Sequence, residues 1–309
     1  MSHRKPKIAF VASGGAAKGA AHLGVIKAAE ELGINFDLYV GSSMGAVMAA
    51  SVSQGISVEH IVDSMRLPWS RRTRGPGLGY HTFFQLAPPQ VWEGFRYLLS
   101  GVFSLDRLEA YLRDRLPKND FRKIEKELYI VATDLDSTER VVFGRGYEEH
   151  VPVSQAVAAS CCIPVLFRPY KINGRYYVDG EIKRTLSADL AIERGADVLV
   201  ISNVYTPAIT PRGERSIAHR GAMEIGRQAV NILLHEKSLR GLDLYDRIYP
   251  NARIIFLEAE IGHMGFFNMR ETAKLMKASY LEALKKLAAA KALGVFEGHE
   301  VSSARLRAI

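Results

Sequence analysis

The sequence predicts an α/β protein, a three-layer α/β/α arrangement with a mainly parallel sheet. Three observations lead to that class. Short apolar runs alternate along the 309-residue chain with segments of helical periodicity. Glycine-containing turns follow the first two apolar runs, and no internal repeat interrupts the alternation. Strands joined through helices pair in parallel, because a helical crossover returns the chain to the same end of the sheet.

Two strand–turn–helix units open the chain. We expect strands over Lys7–Ala12 and Phe36–Gly41, because both are short apolar runs that lead into small residues and glycine. Helices rich in small residues follow over Gly19–Leu32 and Met44–Gln54. Val58–Met65 is predicted as a further short helix.

The middle of the chain is predicted to hold one helix and four strands. The helix covers Leu105–Leu116 and carries acidic residues in its first turns, which is typical of a helix start. Asn173-Gly174 separates the last two strands and is a strong signal for a two-residue hairpin turn. The four strands are expected over Leu128–Thr133, Arg140–Phe143, Val165–Ile172 and Arg175–Val178.

Helices and strands alternate again in the last third of the chain. A helix over Ser187–Arg194 precedes a buried strand over Asp197–Ser202. A long helix is expected between Ile217 and Arg240, and Arg253–Leu257 is predicted as a late strand. A final helix is predicted from an apolar stripe at helical spacing, formed by Met276, Tyr280, Leu284 and Leu287.

Residues 67–104 depart from this pattern. The segment carries prolines, glycines and aromatic residues beside a group of arginines. Long irregular stretches in a compact domain are often lids or binding loops, and aromatic residues next to cations suit a lipid interface. The alternative is a helical insertion whose aromatic residues lie in a core. These aromatic residues and arginines are Phe83, Phe84, Trp92, Phe95, Arg66, Arg71, Arg72 and Arg74.

The composition restricts the class of protein. No apolar run approaches the ~20 residues that cross a membrane, and the basic N-terminus lacks the apolar region of a signal peptide. Cys161 and Cys162 are adjacent, and neighbours rarely form a disulfide, so we expect a reduced, cytoplasmic protein.

The net charge of +8 favours anionic partners such as phosphate-bearing lipids, although most such charge is only a solvated surface. No nucleic-acid motif is present, so we expect no nucleic-acid partner. Besides the arginines near residue 70, a second basic cluster consists of Arg113, Arg115, Lys118, Arg122, Lys123 and Lys126.

Gly41-Ser42-Ser43-Met44-Gly45 is the most informative stretch of the chain. It joins a predicted strand to a predicted helix and matches the G-x-S-x-G elbow, in which flanking glycines leave room for a sharp turn. The central serine is then exposed at the carboxyl end of a strand and at the positive end of a helix. This interpretation makes Ser43 a nucleophile; the alternative is an ordinary Gly/Ser turn.

A glycine-rich loop over residues 13–19 follows the first strand. Such loops let backbone N–H groups point at an anion, either a bound phosphate or the oxyanion of a reaction intermediate. The Walker spacing is absent and the dinucleotide-binding spacing matches poorly, so an oxyanion hole fits better beside a serine elbow. The N–H groups of Gly15 and Ala16 are the candidates, and Lys18 would add positive charge; the alternative is a tight turn into a helix.

A serine nucleophile needs a base to take its proton. A late histidine would match the order of an α/β-hydrolase, but no histidine lies in a recognisable pattern. Asp179 ends a predicted strand and precedes Gly180, so its carboxylate is a base that needs no histidine. The histidines that remain as alternatives are His22, His81, His150, His235 and His263.

Together these motifs resemble, in order and spacing, the patatin-like phospholipase family of Ser-Asp acyl hydrolases over roughly residues 5–206. Residues 13–25 are similar to the family's oxyanion loop and first helix, and residues 41–46 to its serine elbow. Ala159–Pro164 is similar to its A-S-x-x-x-P segment, and Asn173–Gly180 to the strand that carries its aspartate. Each motif alone is weak, but four in the family's order argue against coincidence.

The resemblance implies a catalytic dyad of Ser43 and Asp179, with Gly14, Gly15 and Ala16 as backbone donors to the oxyanion. Asp179 would take the proton of Ser43, which would attack an ester carbonyl and form an acyl-enzyme. Neither a metal nor a cofactor is implied.

The chain departs from the family's usual pattern in three places. Ala16 replaces the third glycine of the loop and is strained if this position has a positive φ. Lys18 replaces the usual arginine, which keeps the charge but loses the planar fork. After the Asp-Gly pair, Glu181, Arg184 and Ser187 stand where the family has a small residue, Asn and Pro. An inward carboxylate would raise the proton affinity of the aspartate, but we expect Glu181 to face solvent.

The resemblance implies a lipid or other acyl-ester substrate, cleaved as by a phospholipase A or a lysophospholipase. The basic charge and the aromatic insertion lead us to expect peripheral contact with an anionic membrane. The predicted catalytic core is 5–206, with 67–104 as a lid or lipid-binding insertion; 207–298 completes the same domain and 299–309 is a tail. Two other functions stay open. One is a weakly active or inactive module that binds anionic membranes or a protein partner, and the other is acyl transfer to an acceptor other than water.

Overall fold

The computed structural model describes most of the chain. It covers residues 4–66, 69–70, 75–76, 80–83, 85–86, 101–207, 209–258 and 272–299, with residues 301 and 306. Most of the predicted insertion at 67–104 therefore lies outside the described residues, and its role as a lid stays a prediction. The chain divides into two compact units, Met1–Asp37 with Thr185–Ile309, and Leu38–Arg184.

The strands alternate with helices as the sequence predicts. In chain order they are β1 (Ile8–Ala12), β2 (Leu38–Gly41), β3 (Trp69–Ser70), β4 (Gly75–Pro76), β5 (Gln85–Leu86), β6 (Phe103–Ser104), β7 (Glu127–Asp134), β8 (Arg140–Phe143), β9 (Tyr170–Ile172), β10 (Arg175–Asp179), β11 (Val198–Asn203) and β12 (Arg253–Glu258).

The helices are mostly short, with two longer ones near the C-terminus. They are α1 (Ala20–Glu31), α2 (Met44–Val52), α3 (Val58–Arg66), α4 (Tyr80–Phe83), α5 (Asp106–Arg115), α6 (Val153–Ser160), α7 (Ala188–Glu193), α8 (Ala222–Ile248) and α9 (Thr272–Ala292). Among the described residues, no helix has the length and apolar content to span a bilayer.

The first unit contains three parallel strands in the order β12-β11-β1. β1 and β11 are buried along their whole length, which explains their continuous apolar sequences. α1 packs along α9, and α7 contacts β1 and β11. Helices therefore flank a parallel strand layer, as the sequence predicts.

The second unit is built around β7, which pairs in parallel with β2 and antiparallel with β8 and β10. β10 also pairs with β9 in the predicted hairpin, whose turn residues Asn173 and Gly174 have φ angles of 50° and 85°. α2 packs on β2, and α6 packs on β7 and β10. Each unit therefore combines strands with flanking helices, with parallel strands in the first unit and mixed strands in the second, and this confirms the α/β class.

The first strand of the hairpin is shorter than predicted. It begins at Tyr170, whereas the sequence favoured a start at Val165. Val165 has a φ of 72° and is 84% exposed. A β-branched residue in that conformation belongs to a turn, so the chain bends after Pro164 instead of extending.

The core-facing side of α9 also differs from the prediction. Met276, Tyr280 and Leu284 of the predicted stripe are only partly buried. The small residues face α1 because the two helices approach closely at Gly24, where an added Cβ would lie 2.2 Å from Ser279 Oγ. The buried residues are Thr272, Leu275, Ser279, Ala283, Leu287 and Ala290.

α8 begins later than the predicted helix and continues to Ile248. Its burial is inverted, because polar residues such as Arg227, Asn231 and Ser238 face inward. Seven apolar residues of the helix are each at least 39% exposed, beside exposed charged residues such as Arg240: Ile225, Val230, Ile232, Leu233, Leu239, Leu244 and Ile248. A helix with this pattern presents apolar surface outward and lines a polar interior.

Candidate active site

The pairing of β7 brings two strand ends together. β8 occupies one edge of β7, opposite residues 130–133, so β2 and β10 share the other edge. Gly41 at the end of β2 lies opposite Ile130, and Asp179 at the end of β10 lies opposite Ala132. Because β2 is parallel and β10 antiparallel to β7, their carboxyl ends meet.

Ser43 occupies a strained turn between β2 and α2. Its φ and ψ are 54° and −127°, a combination that residues with a side chain rarely adopt and that often marks functional sites. The turn is tight, because a Cβ on Gly41 would lie 2.5 Å from the carbonyl oxygen of Gly45. The geometry is that of a nucleophile elbow.

Ser160 holds this turn in place. Its hydroxyl accepts a hydrogen bond from the backbone N–H of Ser43 at 2.8 Å and donates one to the carbonyl of Val131 at 2.6 Å. The side chain therefore ties the elbow to the central strand β7. Sequence reasoning missed this role, although Ser160 is the serine of the A-S-x-x-x-P segment.

The carboxylate of Asp179 is the hydrogen-bond acceptor for the elbow. Ser42 Oγ donates to Oδ1 at 3.5 Å, and the Ser43 side chain lies close enough to the carboxylate to favour its charged form. The backbone N–H of Glu181 donates to Oδ1 at 3.0 Å. The backbone of Asp179 is fixed as well, because its N–H donates to the carbonyl of Cys162 at 2.9 Å.

Burial raises the pKa of Asp179 to about 6 from a usual value of 3.8. The hydrogen bonds from Glu181, Ser43 and Ser42 oppose this effect by stabilising the charged form. A carboxylate with such a pKa is ionised at neutral pH and still holds a proton well, which suits a general base.

The orientation expected for Glu181 is wrong, because the residue is only 1% exposed. The chain turns back over Gly180–Ile182, and this turn encloses Glu181 while its N–H binds Asp179. The substitution at this position therefore places a second carboxyl group in the interior.

The glycine-rich loop lies in the first unit, between β1 and α1. Gly15 and Ala16 both have positive φ angles, 132° and 50°. Ala16 thus has the left-handed backbone conformation. This conformation costs a residue with a Cβ roughly 1–2 kcal/mol, a cost that glycine at this position would avoid. The Ser13 hydroxyl fixes the start of the loop by accepting the N–H of Val204 at 3.0 Å and donating to the carbonyl of Gly14 at 3.1 Å.

Lys18 follows this loop and is only 5% exposed. Its Nζ donates to the carbonyl of Thr206 at 3.2 Å. Burial lowers the pKa of Lys18 to about 8, and the positive charge of Arg227 contributes to the same shift. The ammonium group therefore persists at neutral pH.

The described histidines have other partners. His22 is buried, with Nδ1 at 2.7 Å from Ser202 Oγ and Nε2 at 2.8 Å from the carbonyl of Ser13, and burial lowers its pKa to about 4. This neutral ring braces the glycine-rich loop. His235 contacts Glu258 at 3.1 Å, and the hydrogen-bonding partner of His150 is Arg122. The side chains of His81 and His263 lie outside the described residues.

Cys161 and Cys162 are free and buried, as expected for adjacent cysteines. Burial raises the pKa of both thiols, and the nearby charge of Asp179 adds to this effect, so both stay protonated. In the described part of the chain, no three His, Cys, Asp or Glu side chains cluster as metal ligands.

The second basic cluster is partly neutralised. Arg113 pairs with Glu109 at 2.8 Å, and Arg122 pairs with Asp120 at 2.8 Å. Lys123 also approaches Asp120, at 3.8 Å. This surface is therefore less attractive to anions than the number of its basic residues indicates.

Comparisons with known proteins identify relatives of this chain. The chain is 29% identical over 177 residues to an uncharacterized NTE family protein of Mycobacterium tuberculosis, covering 57% of this chain and 43% of the relative. It is 22% identical over 201 residues to a protein named probable lipid hydrolase from Invertebrate iridescent virus 6. This match covers 61% of this chain and 65% of the viral protein. The chain thus spans less than half the length of the mycobacterial relative.

Among solved structures, the crystal structure of VipD from Legionella pneumophila matches with a TM-score of 0.50 and 15% identity. The match covers 96% of this chain and 67% of VipD, and it shows a shared fold. A family model described as patatin-like phospholipase matches residues 10–192, which is more than half of the chain. The chain belongs to the patatin-like phospholipase family.

Proposed function

We propose that this protein is a carboxylic-ester hydrolase of the phospholipase A or lysophospholipase type, with Ser43 and Asp179 as its catalytic dyad. The observation that carries the proposal is the position of the Ser43 side chain, at a strained elbow, close enough to a buried carboxylate to oppose the rise of its pKa to about 6. Membership of a lipid-hydrolase family supports the lipid substrate.

The reaction proceeds in two halves. Asp179 takes the proton of the Ser43 hydroxyl while the oxygen attacks the ester carbonyl, and the proton then passes to the leaving alcohol. Asp179 next takes a proton from water, which attacks the acyl-enzyme and releases the fatty acid as Ser43 regains its proton. The backbone N–H groups of Gly14, Gly15 and Ala16 are proposed as donors to the oxyanion, with Lys18 as supporting charge.

Substitution of the dyad tests this mechanism. Ser43→Ala should lower kcat for p-nitrophenyl esters by about 10⁴-fold or more and abolish labelling by a fluorophosphonate probe. Asp179→Asn should cause a comparable loss, and wild-type activity should fall below about pH 6 as Asp179 becomes protonated. Ser42→Ala, which removes the 3.5 Å contact of Ser42 with Asp179, serves as the matched control and should retain most activity.

Loss of activity in His235→Ala, together with full activity in Asp179→Asn, would contradict the dyad. Reaction products decide between hydrolysis and acyl transfer. Release of free fatty acid in the presence of added alcohol supports a hydrolase, whereas accumulation of the alkyl ester identifies a transferase.

We also propose peripheral contact with an anionic lipid surface through the outward face of α8. The apolar residues on that face are exposed, and the chain just before the helix carries three exposed arginines: Arg212, Arg215 and Arg220. Apolar residues next to cations are the combination that binds anionic bilayers. Binding to lipid vesicles measures this contact.

A further inference from the structure

Two buried cations lie together in the first unit, beside the glycine-rich loop. The side chain of Arg227, on the inward face of α8, is 7% exposed, and Lys18 is 5% exposed. The two groups are close enough for the charge of Arg227 to affect the protonation of Lys18. Like charges in a buried environment repel, so this arrangement is unfavourable unless an anion lies nearby.

Arg227 is held along one edge of its guanidinium group. Oε2 of Glu224 accepts hydrogen bonds from Nε at 3.0 Å and from Nη2 at 2.7 Å. The remaining nitrogen, Nη1, is buried and has no hydrogen-bond partner within the described part of the chain. A charged donor that is buried without an acceptor costs free energy, which favours the binding of an added acceptor at this nitrogen.

The position of the pair is one where α/β proteins bind ligands. Lys18 follows β1 and donates to the carbonyl of Thr206, shortly after the end of β11. Lys18 therefore lies toward the carboxyl ends of parallel strands, with Arg227 close enough for its charge to act on Lys18. Glu224 neutralises one of the two charges, so Lys18, Arg227 and Glu224 together carry a single positive charge for an incoming anion.

We propose that Lys18 and Arg227 form a phosphate-binding subsite. Phosphate is the chemistry that fits, because its several oxygens can accept from a guanidinium nitrogen and an ammonium group at once. Two sources are compatible with this chemistry, the headgroup of a phospholipid substrate and free phosphate. The headgroup assignment rests on the proposed lipid-hydrolase function, whereas the subsite itself does not.

Binding of inorganic phosphate tests the subsite without any turnover. Titration calorimetry should detect phosphate binding to the wild-type protein, and Arg227→Gln should weaken it by about tenfold or more. Arg240→Gln is the matched control, because Arg240 lies on the same helix with its side chain 85% exposed. Absence of phosphate binding to the wild type, or equal weakening by both substitutions, would overturn the proposal.

Kinetics with two esters identify the source of the phosphate. A lysophospholipid and a monoacylglycerol with the same acyl chain differ in the phosphate group. If the headgroup binds here, Arg227→Gln should raise KM for the lysophospholipid about tenfold or more without changing kcat. The KM and kcat for the monoacylglycerol should stay the same. An unchanged KM combined with weakened phosphate binding assigns the subsite to free phosphate. Equal losses for both esters would show a structural role and reject the subsite.

A double variant tests whether a loss of phosphate binding in Arg227→Gln comes from misfolding. Arg227→Gln leaves Glu224 without its partner, so Glu224→Gln/Arg227→Gln removes both charges together. The double variant should show the same loss of phosphate binding, and retention of wild-type binding would reject the proposal. If the wild type hydrolyses no ester, the proposed function fails, while the phosphate titration still decides the subsite.

Discussion

Burial of the Asp179 side chain raises the pKa of its carboxyl group and lowers the stability of the folded protein at neutral pH. Folding removes its carboxylate from water, and the hydrogen bonds from two serines and one backbone N–H compensate only in part, so its pKa rises to about 6. The folded protein therefore holds this proton more tightly than the unfolded chain does. Above this pKa the charged form, which the proposed mechanism requires, is the one that burial penalises.

Asp179→Asn should therefore stabilise the protein at pH 8, by about 1–3 kcal/mol, because it removes a penalised buried charge. With a pKa raised from 3.8 to about 6, the wild-type stability falls as pH rises through that window. The difference between variant and wild type should shrink toward zero near pH 4. Urea unfolding at pH 4 and pH 8 measures both values.

Asp134 is the control for this prediction, because folding shifts its pKa in the opposite direction. Backbone N–H groups of Ser137 and Asp136 bind its carboxylate, Arg175 pairs with it at 2.8 Å, and its pKa is lowered. Asp134→Asn should therefore lose stability at pH 8. Destabilisation of Asp179→Asn to a similar extent at pH 8 would contradict the account given for Asp179.

Close packing of α1 on α9 is the main feature at the scale of elements. A Cβ on Gly24 would lie 2.2 Å from Ser279 Oγ and 2.3 Å from the carbonyl oxygen of Met276. The second contact is with backbone, which cannot move away without shifting the helix. The two helices therefore approach at this distance only because Gly24 has no side chain.

Gly24→Ala should destabilise the protein by about 1–3 kcal/mol or more, as expected for overpacking. Gly226→Ala is the matched control, because Gly226 lies within α8 with open space around its Cα. There alanine should stabilise by about 0.5–1 kcal/mol through its higher helix propensity. Denaturant unfolding compares the two; a Gly24→Ala protein as stable as the wild type would show that the helices separate easily.

At the scale of the whole molecule, the inverted burial of α8 predicts where a lipid surface binds. Leu233 is 68% exposed on the outward face, so Leu233→Glu should weaken binding to anionic phospholipid vesicles by about tenfold. Hydrolysis of a short soluble ester should not change. Cosedimentation with vesicles measures the binding.

Leu281→Glu is the control for this prediction, because Leu281 is 54% exposed on a different helix, α9. It should bind vesicles as the wild type does. Equal binding by Leu233→Glu, or equal loss in both variants, would reject α8 as the contact surface.

Much of the fold was predictable because the signals are local. The hairpin turn at Asn173-Gly174 depends on two residues whose backbones tolerate positive φ, and the structure contains it. The buried strand β11 was recognised from a continuous apolar run of its own. The strand β9 was wrongly predicted to begin at Val165, because an apolar residue in a turn cannot be distinguished by sequence from one in a strand.

For the candidate site, the sequence supplied the residues but not their contacts. Ser43 and Asp179 were found from turn patterns and the family resemblance, and the structure brings the two side chains close enough for Ser43 to affect the pKa of Asp179. Ser160 belongs to the A-S-x-x-x-P segment, but its contact with the elbow was not predicted, and Arg227 carried no signal because an arginine in a long helix is common. Their importance depends on partners that lie far away in the chain.

The order of strands and helices, the elbow and its family were determined by the sequence itself, because neighbouring residues dictate periodicity, turn conformation and motif spacing. Only the tertiary structure decided which face of α9 is buried, that Glu181 points inward and that Asp179 holds its proton until about pH 6. These properties arise from desolvation and close packing, and both depend on groups that the chain brings together only when it folds.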